Sequence, residues 1–280
     1  MHFLEIVWDP LKGIDILGFT LHFYSVMWII AFLLGFMIMK RIFKKEGLGE
    51  DTLDSLFMYS VIGIMLGARL GHVIFYQPEL FQEDFFSIFL PVRFNPEFKF
   101  TGFQGLASHG AAIAMIISMY IYNKKILHKT VLWILDRVVI PVASGAVFVR
   151  IGNFINSEII GKPTGTDFGV VFTQLGETFP RHPAQLYEAF LYIFVFVALS
   201  YFYWNTNKSE KQGFLFGLFL LMLFTIRFIV EFFKEPQNPG REDWIFGMNT
   251  GQVLSIPFIL IGLYFMFIYK PKTELKNEKV

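Results

Sequence analysis

The run RIGNFINSE, from Arg150 to Glu158, combines one guanidinium, two amides and one carboxylate within nine residues. A guanidinium keeps its charge and donates two parallel hydrogen bonds, so Arg150 is suited to a phosphate group. Asn153, Asn156 and Glu158 could orient it, and Gly152 allows a close approach of another chain segment. The alternative is an interfacial arginine that extends toward lipid headgroups while the asparagines form turns.

A second candidate pair, Arg227 and Glu231, has the i, i+4 spacing that places two side chains on one helix face. A structural ion pair is the first interpretation of this spacing. The functional alternative is a second phosphate-binding cation that the carboxylate holds in place.

Two further runs carry polar groups that could take part in chemistry. His109 lies in ASHGAAIA, where small residues allow another helix to approach; it is either a packing residue or a general base. HPAQLYE places Gln185 and Glu188 about one turn apart, as in a capped helix start. Glycines at every fourth position predict helix packing in an earlier segment: Gly63, Gly67 and Gly71.

Other kinds of site have no counterpart in the sequence. There is no HExxH, no metal-ligand cluster, no P-loop and no dinucleotide fingerprint, so we expect neither a metal nor a cofactor. The chain has no cysteine, so any thiol in the reaction must belong to a substrate. A net charge of +1 gives no indication of nucleic-acid binding.

The elements that position these residues are predicted to be membrane-spanning helices. The chain is 54% hydrophobic, contains 36 Phe and has a mean hydropathy of +0.51. A span needs about 20 apolar residues, and seven stretches qualify: 18–39, 53–76, 105–123, 131–149, 186–204, 214–233 and 251–269. We predict an all-α polytopic membrane protein with one seven-helix catalytic domain over residues 1–270 and a short charged tail over 271–280. The N-terminus lacks a basic region and a cleavage site, so the first helix is expected to be retained.

Lysine-rich segments follow the first, third, fifth and seventh stretches, which predicts the N-terminus outside and the C-terminus in the cytoplasm. With this orientation every helix contributes polar groups to the outer half of the bilayer, and the inner half has few beyond Asp54, Asp136 and Arg137. Such a one-sided polar chamber favours an enzyme acting on outer-leaflet lipid over a channel or transporter. A transporter or flippase for an anionic lipid and a non-catalytic scaffold remain the alternatives.

The motifs together resemble those of the prolipoprotein diacylglyceryl transferase family, bacterial membrane enzymes that begin lipoprotein maturation. The resemblance covers nearly the whole chain, in family order: the Tyr24 region, GARLGHVIFY (67–76), SHGAAIA (108–114), RIGNFINSEIIGKPT (150–164), RHPAQLYE (181–188), RFIVEFFKEP (227–236) and GQVLSIP (251–257). The departures are mild: Ala111 replaces a glycine, Ser25 replaces a glycine, and Lys234 stands where an arginine is often found.

The resemblance implies transfer of the diacylglyceryl group from phosphatidylglycerol to the lipobox cysteine of a prolipoprotein, with release of glycerol phosphate. It implies a monomeric, multi-pass protein of the bacterial inner membrane, surrounded by lipid. We expect His109, Arg150 and Arg227 to be catalytic. His109 is the candidate base for the thiol, with a water molecule near the arginines as the alternative. The residues expected to bind or orient substrate are Tyr24, Arg69, Asn153, Asn156, Glu158, Gln185, Glu188 and Glu231.

Overall fold

Eight α-helices form the framework of the protein. The computed structural model describes residues 5–16, 19–90, 92–94, 97–100, 105, 107–235 and 245–270. The helices are α1 (Phe23–Lys45), α2 (Glu50–Tyr76), α3 (Leu80–Glu83), α4 (Ser108–Tyr122), α5 (Val131–Ile155), α6 (Ala184–Asn205), α7 (Phe214–Val230) and α8 (Thr250–Leu263).

Six helical segments are long and apolar enough to cross a membrane: Phe23–Lys45, Glu50–Tyr76, Val131–Ile155, Ala184–Asn205, Phe214–Phe233 and Thr250–Ile268. The prediction of a helical polytopic membrane protein is therefore confirmed. The third predicted stretch corresponds to α4, which has 15 residues and continues through a π-helical turn, Asn123–Leu127. Seven crossings, the orientation and the one-sided chamber stay predictions. The predicted tail, 271–280, lies outside the described residues.

Short strands pair in the segments outside the long helices. β1 (Glu5–Trp8) runs parallel to β6 (Gly169–Phe172), whereas β2 (Gly13–Ile16) pairs antiparallel with β3 (Phe19–His22), and β4 (Val92–Arg93) with β5 (Lys99–Phe100). The β1–β6 pair ties the N-terminal segment to the segment that follows α5. Trp8 of β1 also contacts α5 itself, because its Nε1 donates to the carbonyl of Phe154 at 3.1 Å. The sequence predicts helices alone, since strands this short give little alternating pattern.

The chain divides into two compact units, Lys40–Ile134 and the remainder (Met1–Met39 with Leu135–Val280). In the unit Lys40–Ile134, the glycines of α2 face α4. A Cβ on Gly67 would lie 2.2 Å from Cβ of Ala114, and one on Gly71 would lie 2.7 Å from Cα of Gly110. The predicted packing role of these glycines is confirmed. In the other unit, Gly217 of α7 and Gly262 of α8 allow a similar close approach.

Asp136 of α5 caps a neighbouring helix. Its fully buried carboxylate accepts hydrogen bonds from the backbone N–H groups of Gly213 at 2.7 Å and Phe216 at 2.8 Å. These groups lie at the start of α7, where Gly213 has no side chain to satisfy them. A polar residue in the predicted inner half of the bilayer thus has a structural partner.

Replacing Asp136 with alanine is expected to lower the free energy of unfolding by about 3 kcal/mol, because two helix-terminal N–H groups lose a charged acceptor. The measurement is thermal unfolding in detergent, with the exposed Asp54→Ala as the control. Equal unfolding midpoints for the two variants would show that the cap contributes little.

Candidate active site

Arg150 lies in the last turns of α5 and contacts acceptors from two elements. Its Nη1 donates to Oδ1 of Asn153 at 3.3 Å, and its Nε lies 2.8 Å from Oε2 of Glu188 on α6. The hydroxyl of Tyr192 lies beside the same guanidinium. These contacts hold the orientation of the Arg150 guanidinium. Because a guanidinium has five N–H donors, some remain for a ligand.

The chain turns sharply just after α5 ends at Ile155. The carboxylate of Glu158 accepts hydrogen bonds from Asn153 and Asn156, each at 3.2 Å, and its carbonyl accepts one from Gln185 at 2.7 Å. Ser157 and Ile159 both adopt left-handed backbone conformations, with φ of 54° and 58°. This conformation is rare for a β-branched residue such as isoleucine and occurs most often at functional sites.

Glu188 connects Arg150 to a second cation. Its side chain is 0% exposed, and Oε1 accepts a hydrogen bond from Nζ of Lys234 at 2.8 Å. The same ammonium lies 3.4 Å from Oε2 of Glu231. Arg150, Glu188, Lys234 and Glu231 therefore form a continuous chain of alternating charges, which we call the charge chain.

Arg227 and Glu231 do not form the ion pair that their spacing indicated. The residues that the structure describes include both, and the two side chains are not within 4.0 Å of each other. The backbone still has helical spacing at this point, because the N–H of Glu231 donates to the carbonyl of Arg227 at the end of α7. Glu231 faces Lys234 instead, and its carboxylate packs where a Cβ on Gly251 would lie.

Three buried donors in this unit have no acceptor among the residues described. They are Nε of Arg227 on α7, Nε2 of Gln252 on α8 and the hydroxyl of Ser157. The amide of Gln252 is fixed in orientation, because its Oε1 accepts the backbone N–H of Asn249 in a capping box. Buried donors are normally satisfied, so each of these is a candidate contact for a ligand oxygen atom.

The other predicted site residues lie in different surroundings. Tyr24 of α1 packs on α5, where a Cβ on Gly152 would lie 2.8 Å from Cδ2 of its ring. Arg69, in the other unit, donates to the carbonyls of Ser87 at 3.0 Å and Ile88 at 3.2 Å, so it holds the segment after α2. His109 is the second residue of α4, and its side chain lies outside the described part of the chain.

The segment between α5 and α6 is tied to the end of α7 by Arg181. Its guanidinium donates twice to Glu177, both at 2.6 Å, and once to Glu235 at 2.8 Å. The hydrogen bonds to Glu177 hold the pKa of Arg181 above its ordinary value. Gly161 lies in the same junction, where its N–H donates to the carbonyl of His182 and the N–H of Lys162 donates to the carbonyl of Phe233.

A Gly161→Ala variant is expected to have about 10²-fold lower activity, because a small displacement of catalytic groups can lower the reaction rate by that factor. Its Cβ would lie 2.2 Å from the carbonyl oxygen of His182 and 2.9 Å from that of Phe233, so the segment before Lys234 must move. Steady-state assay of purified protein tests this, with Gly49→Ala as a control at a glycine that has open space. Equal activity of both variants would contradict it.

Sequence reasoning missed three members of the site. Lys234 was seen only as a departure from a motif, although it follows Glu231 by three residues. Tyr192 follows Glu188 by four residues on α6, and its hydroxyl lies 3.5 Å from the Glu188 carboxylate. Gln252 was not selected as a site residue, because its unsatisfied amide becomes evident only once the capping box is known.

Comparison with known proteins places the chain in a family. The family model for prolipoprotein diacylglyceryl transferase matches residues 13–268. A phosphatidylglycerol–prolipoprotein diacylglyceryl transferase of Bacteroides fragilis is 39% identical over 276 residues, which is 98% of each chain. Proteins of that name from Tolumonas auensis and Chloroherpeton thalassium are 39% and 35% identical, over 93% and 97% of this chain and 95% and 97% of their own. The chain therefore belongs to the prolipoprotein diacylglyceryl transferase family.

Proposed function

We propose that this protein transfers the diacylglyceryl group of phosphatidylglycerol to the lipobox cysteine thiol of prolipoproteins and releases glycerol phosphate. Family membership and the names of full-length relatives support the reaction. The observation that carries it in this chain is the arrangement of cations in one unit. Arg150 is held by Glu188 and Asn153, and the buried Nε of Arg227 has no acceptor among the residues that the structure describes.

The reaction breaks the bond between the glycerol carbon and the phosphate oxygen while the thiolate sulfur forms a bond to that carbon. The leaving phosphate therefore gains charge as the transition state forms. Donors that are already oriented toward that charge stabilise the transition state more than the ground state, which raises the rate. We assign this role to Arg150 and Arg227.

The remaining site residues receive supporting roles. Asn153, Asn156 and Glu158 orient the run that carries Arg150, as their mutual hydrogen bonds suggest. His109 is the proposed general base, because the thiol must lose its proton and histidine titrates near neutral pH. A water molecule near the arginines is the alternative base. The proposed substrate contacts are those of Tyr24, Arg69, Gln185, Glu188 and Glu231.

We place the reaction at the outer leaflet of the bacterial inner membrane. The alternation of lysine-rich segments supports seven crossings with the N-terminus outside and the C-terminus in the cytoplasm. In this arrangement residues 1–270 form one catalytic domain, and residues 271–280 form a cytoplasmic tail. We also propose that the protein acts as a monomer.

The test is incubation of purified protein in micelles that contain phosphatidylglycerol with a lipobox peptide, followed by mass spectrometry of the peptide. We expect a mass gain of one diacylglyceryl group with wild type and none with Arg150→Ala. A peptide with serine in place of the lipobox cysteine and micelles with phosphatidylcholine alone serve as controls. A folded wild-type protein that leaves the peptide unmodified and, after reconstitution into vesicles, moves labelled lipid between leaflets would be a flippase.

A further inference from the structure

We infer that Lys234 is a positioning residue of the active site, which orients Arg150 through the carboxylate of Glu188. This inference rests on the proposed function, because it assigns Arg150 to the leaving phosphate. Lys234 does not need to touch substrate for this role. Its ammonium is bonded to Glu188 at 2.8 Å, and the opposite oxygen of that carboxylate lies 2.8 Å from Nε of Arg150.

The two oxygens of Glu188 are shared between two cations. Oε1 accepts a hydrogen bond from Lys234, whereas Oε2 lies against Arg150 as a close ion pair, so each cation contacts a different oxygen. Without the ammonium, Oε1 keeps only the hydroxyl of Tyr192 at 3.5 Å. The carboxylate could then rotate and take Arg150 through both oxygens, the geometry that guanidinium groups favour. That rotation would turn the guanidinium away from its position in the charge chain.

Burial makes this arrangement sensitive to the loss of one charge. The side chain of Glu188 is 0% exposed and that of Lys234 is 6% exposed. Charges that are removed from water to this extent need close partners, and removal of one partner leaves the other uncompensated. An ammonium is compact and has three donors, which suits a cation that lies between the carboxylates of Glu188 and Glu231.

The balance of charge in the site also depends on Lys234. In the charge chain two cations, Arg150 and Lys234, face two carboxylates, Glu188 and Glu231, so the formal charges sum to 2 − 2 = 0. Without Lys234 the sum falls to −1, and a leaving phosphate that gains charge is stabilised less.

The backbone around Lys234 is held on both sides. The N–H of Lys162 donates to the carbonyl of Phe233 at 2.8 Å, and the N–H of Glu235 donates to the carbonyl of Ile160 at 3.0 Å. The backbone of Lys234 itself forms an antiparallel β-bridge with that of Gly161. The backbone that carries the Lys234 ammonium is therefore fixed in place, as a positioning residue requires.

The experiment compares the peptide-modification kinetics of Lys234→Met, Lys234→Arg, Glu188→Gln and the double variant Lys234→Met/Glu188→Gln. Lys162→Met is the control, because that lysine is exposed and lies on the neighbouring segment. We expect Lys234→Met to lower kcat/KM about 30-fold, with a fall in kcat because charge develops in the transition state and a rise in KM because Arg150 also holds the phosphate before the reaction. Lys234→Arg should retain activity within about threefold, because it keeps the cation.

The double variant separates positioning from stability. It removes one buried cation and one buried anion together, which folded proteins tolerate better than the loss of either alone. If Lys234 acts through Glu188, the double variant is no less active than Glu188→Gln. An activity of Lys234→Met within twofold of wild type, or losses that multiply in the double variant, would overturn the inference while the transferase function stands.

Binding of phosphatidylglycerol to the purified variants, measured by native mass spectrometry, gives a second readout that does not require turnover. A wild-type protein that never modifies the peptide refutes the proposed function. In that case weaker lipid binding by Lys234→Met than by Lys162→Met still supports a role of Lys234 in holding the phosphate site. Equal lipid binding by Lys234→Met and Lys162→Met overturns the inference that Lys234 positions the phosphate site.

Discussion

Replacement of Arg227 with methionine is expected to lower kcat/KM about 10³-fold, the effect of removing a donor that stabilises a developing charge. The same variant should unfold at an unchanged or higher temperature. The Nε of Arg227 is buried and has no acceptor in the described part of the chain, so its removal relieves a desolvation cost. Methionine fills a similar length of apolar space.

Activity and thermal unfolding in the same detergent test this prediction together. Ile229→Met, two positions further along α7 and exposed, is the matched control. A large loss of activity with retained stability identifies Arg227 as a residue kept for function. A fall of several degrees in the unfolding midpoint would instead show that Arg227 has a structural partner.

Replacement of Arg150 with lysine is expected to lower kcat/KM at least about 10²-fold, even though the charge is kept. One ammonium cannot reach both Glu188 and Asn153 in the geometry of a guanidinium and still present donors to a phosphate. The free energy of unfolding should fall by about 2 kcal/mol, because the buried Glu188 loses a well-placed partner.

The sign of the stability change distinguishes the two arginines. Substitution of Arg150 should reduce both activity and stability, whereas substitution of Arg227 should reduce activity alone. Arg93→Lys, at an exposed arginine, controls for the general effect of the exchange. If Arg150→Lys retains a third or more of the wild-type activity, the guanidinium geometry is not required, and a point charge is sufficient.

Much of the framework follows from hydropathy. Six of the seven predicted stretches correspond to helical segments that could cross a membrane, because about 20 consecutive apolar residues have few alternatives to a spanning helix. The small strands, such as β1 and β6, were not predicted. β1 and β6 are far apart in the sequence, so their pairing leaves no local pattern, and the other two pairs are close in sequence but only two to four residues long.

The site was predictable where its members are close in sequence. The hydrogen bonds among Arg150, Asn153 and Glu158 lie within one run, and the local spacing predicted their association. The Glu188–Lys234 pair joins residues 46 positions apart, and nothing local to either residue indicates it. The expected Arg227–Glu231 pair does not form, because the Glu231 carboxylate faces Lys234, and the spacing of Arg227 and Glu231 on the helix does not indicate this competing partner.

The most direct test of the central claim uses phosphatidylglycerol labelled with ¹⁸O at the oxygen that joins the diacylglyceryl carbon to phosphorus. If Arg150 and Arg227 stabilise a leaving phosphate, the bond between carbon and that oxygen breaks. The label then appears in the released glycerol phosphate, in equal amount to an unlabelled diacylglyceryl peptide. Unlabelled glycerol phosphate, or a peptide that gains phosphorus, would show that the bond to phosphorus breaks and would contradict the mechanism.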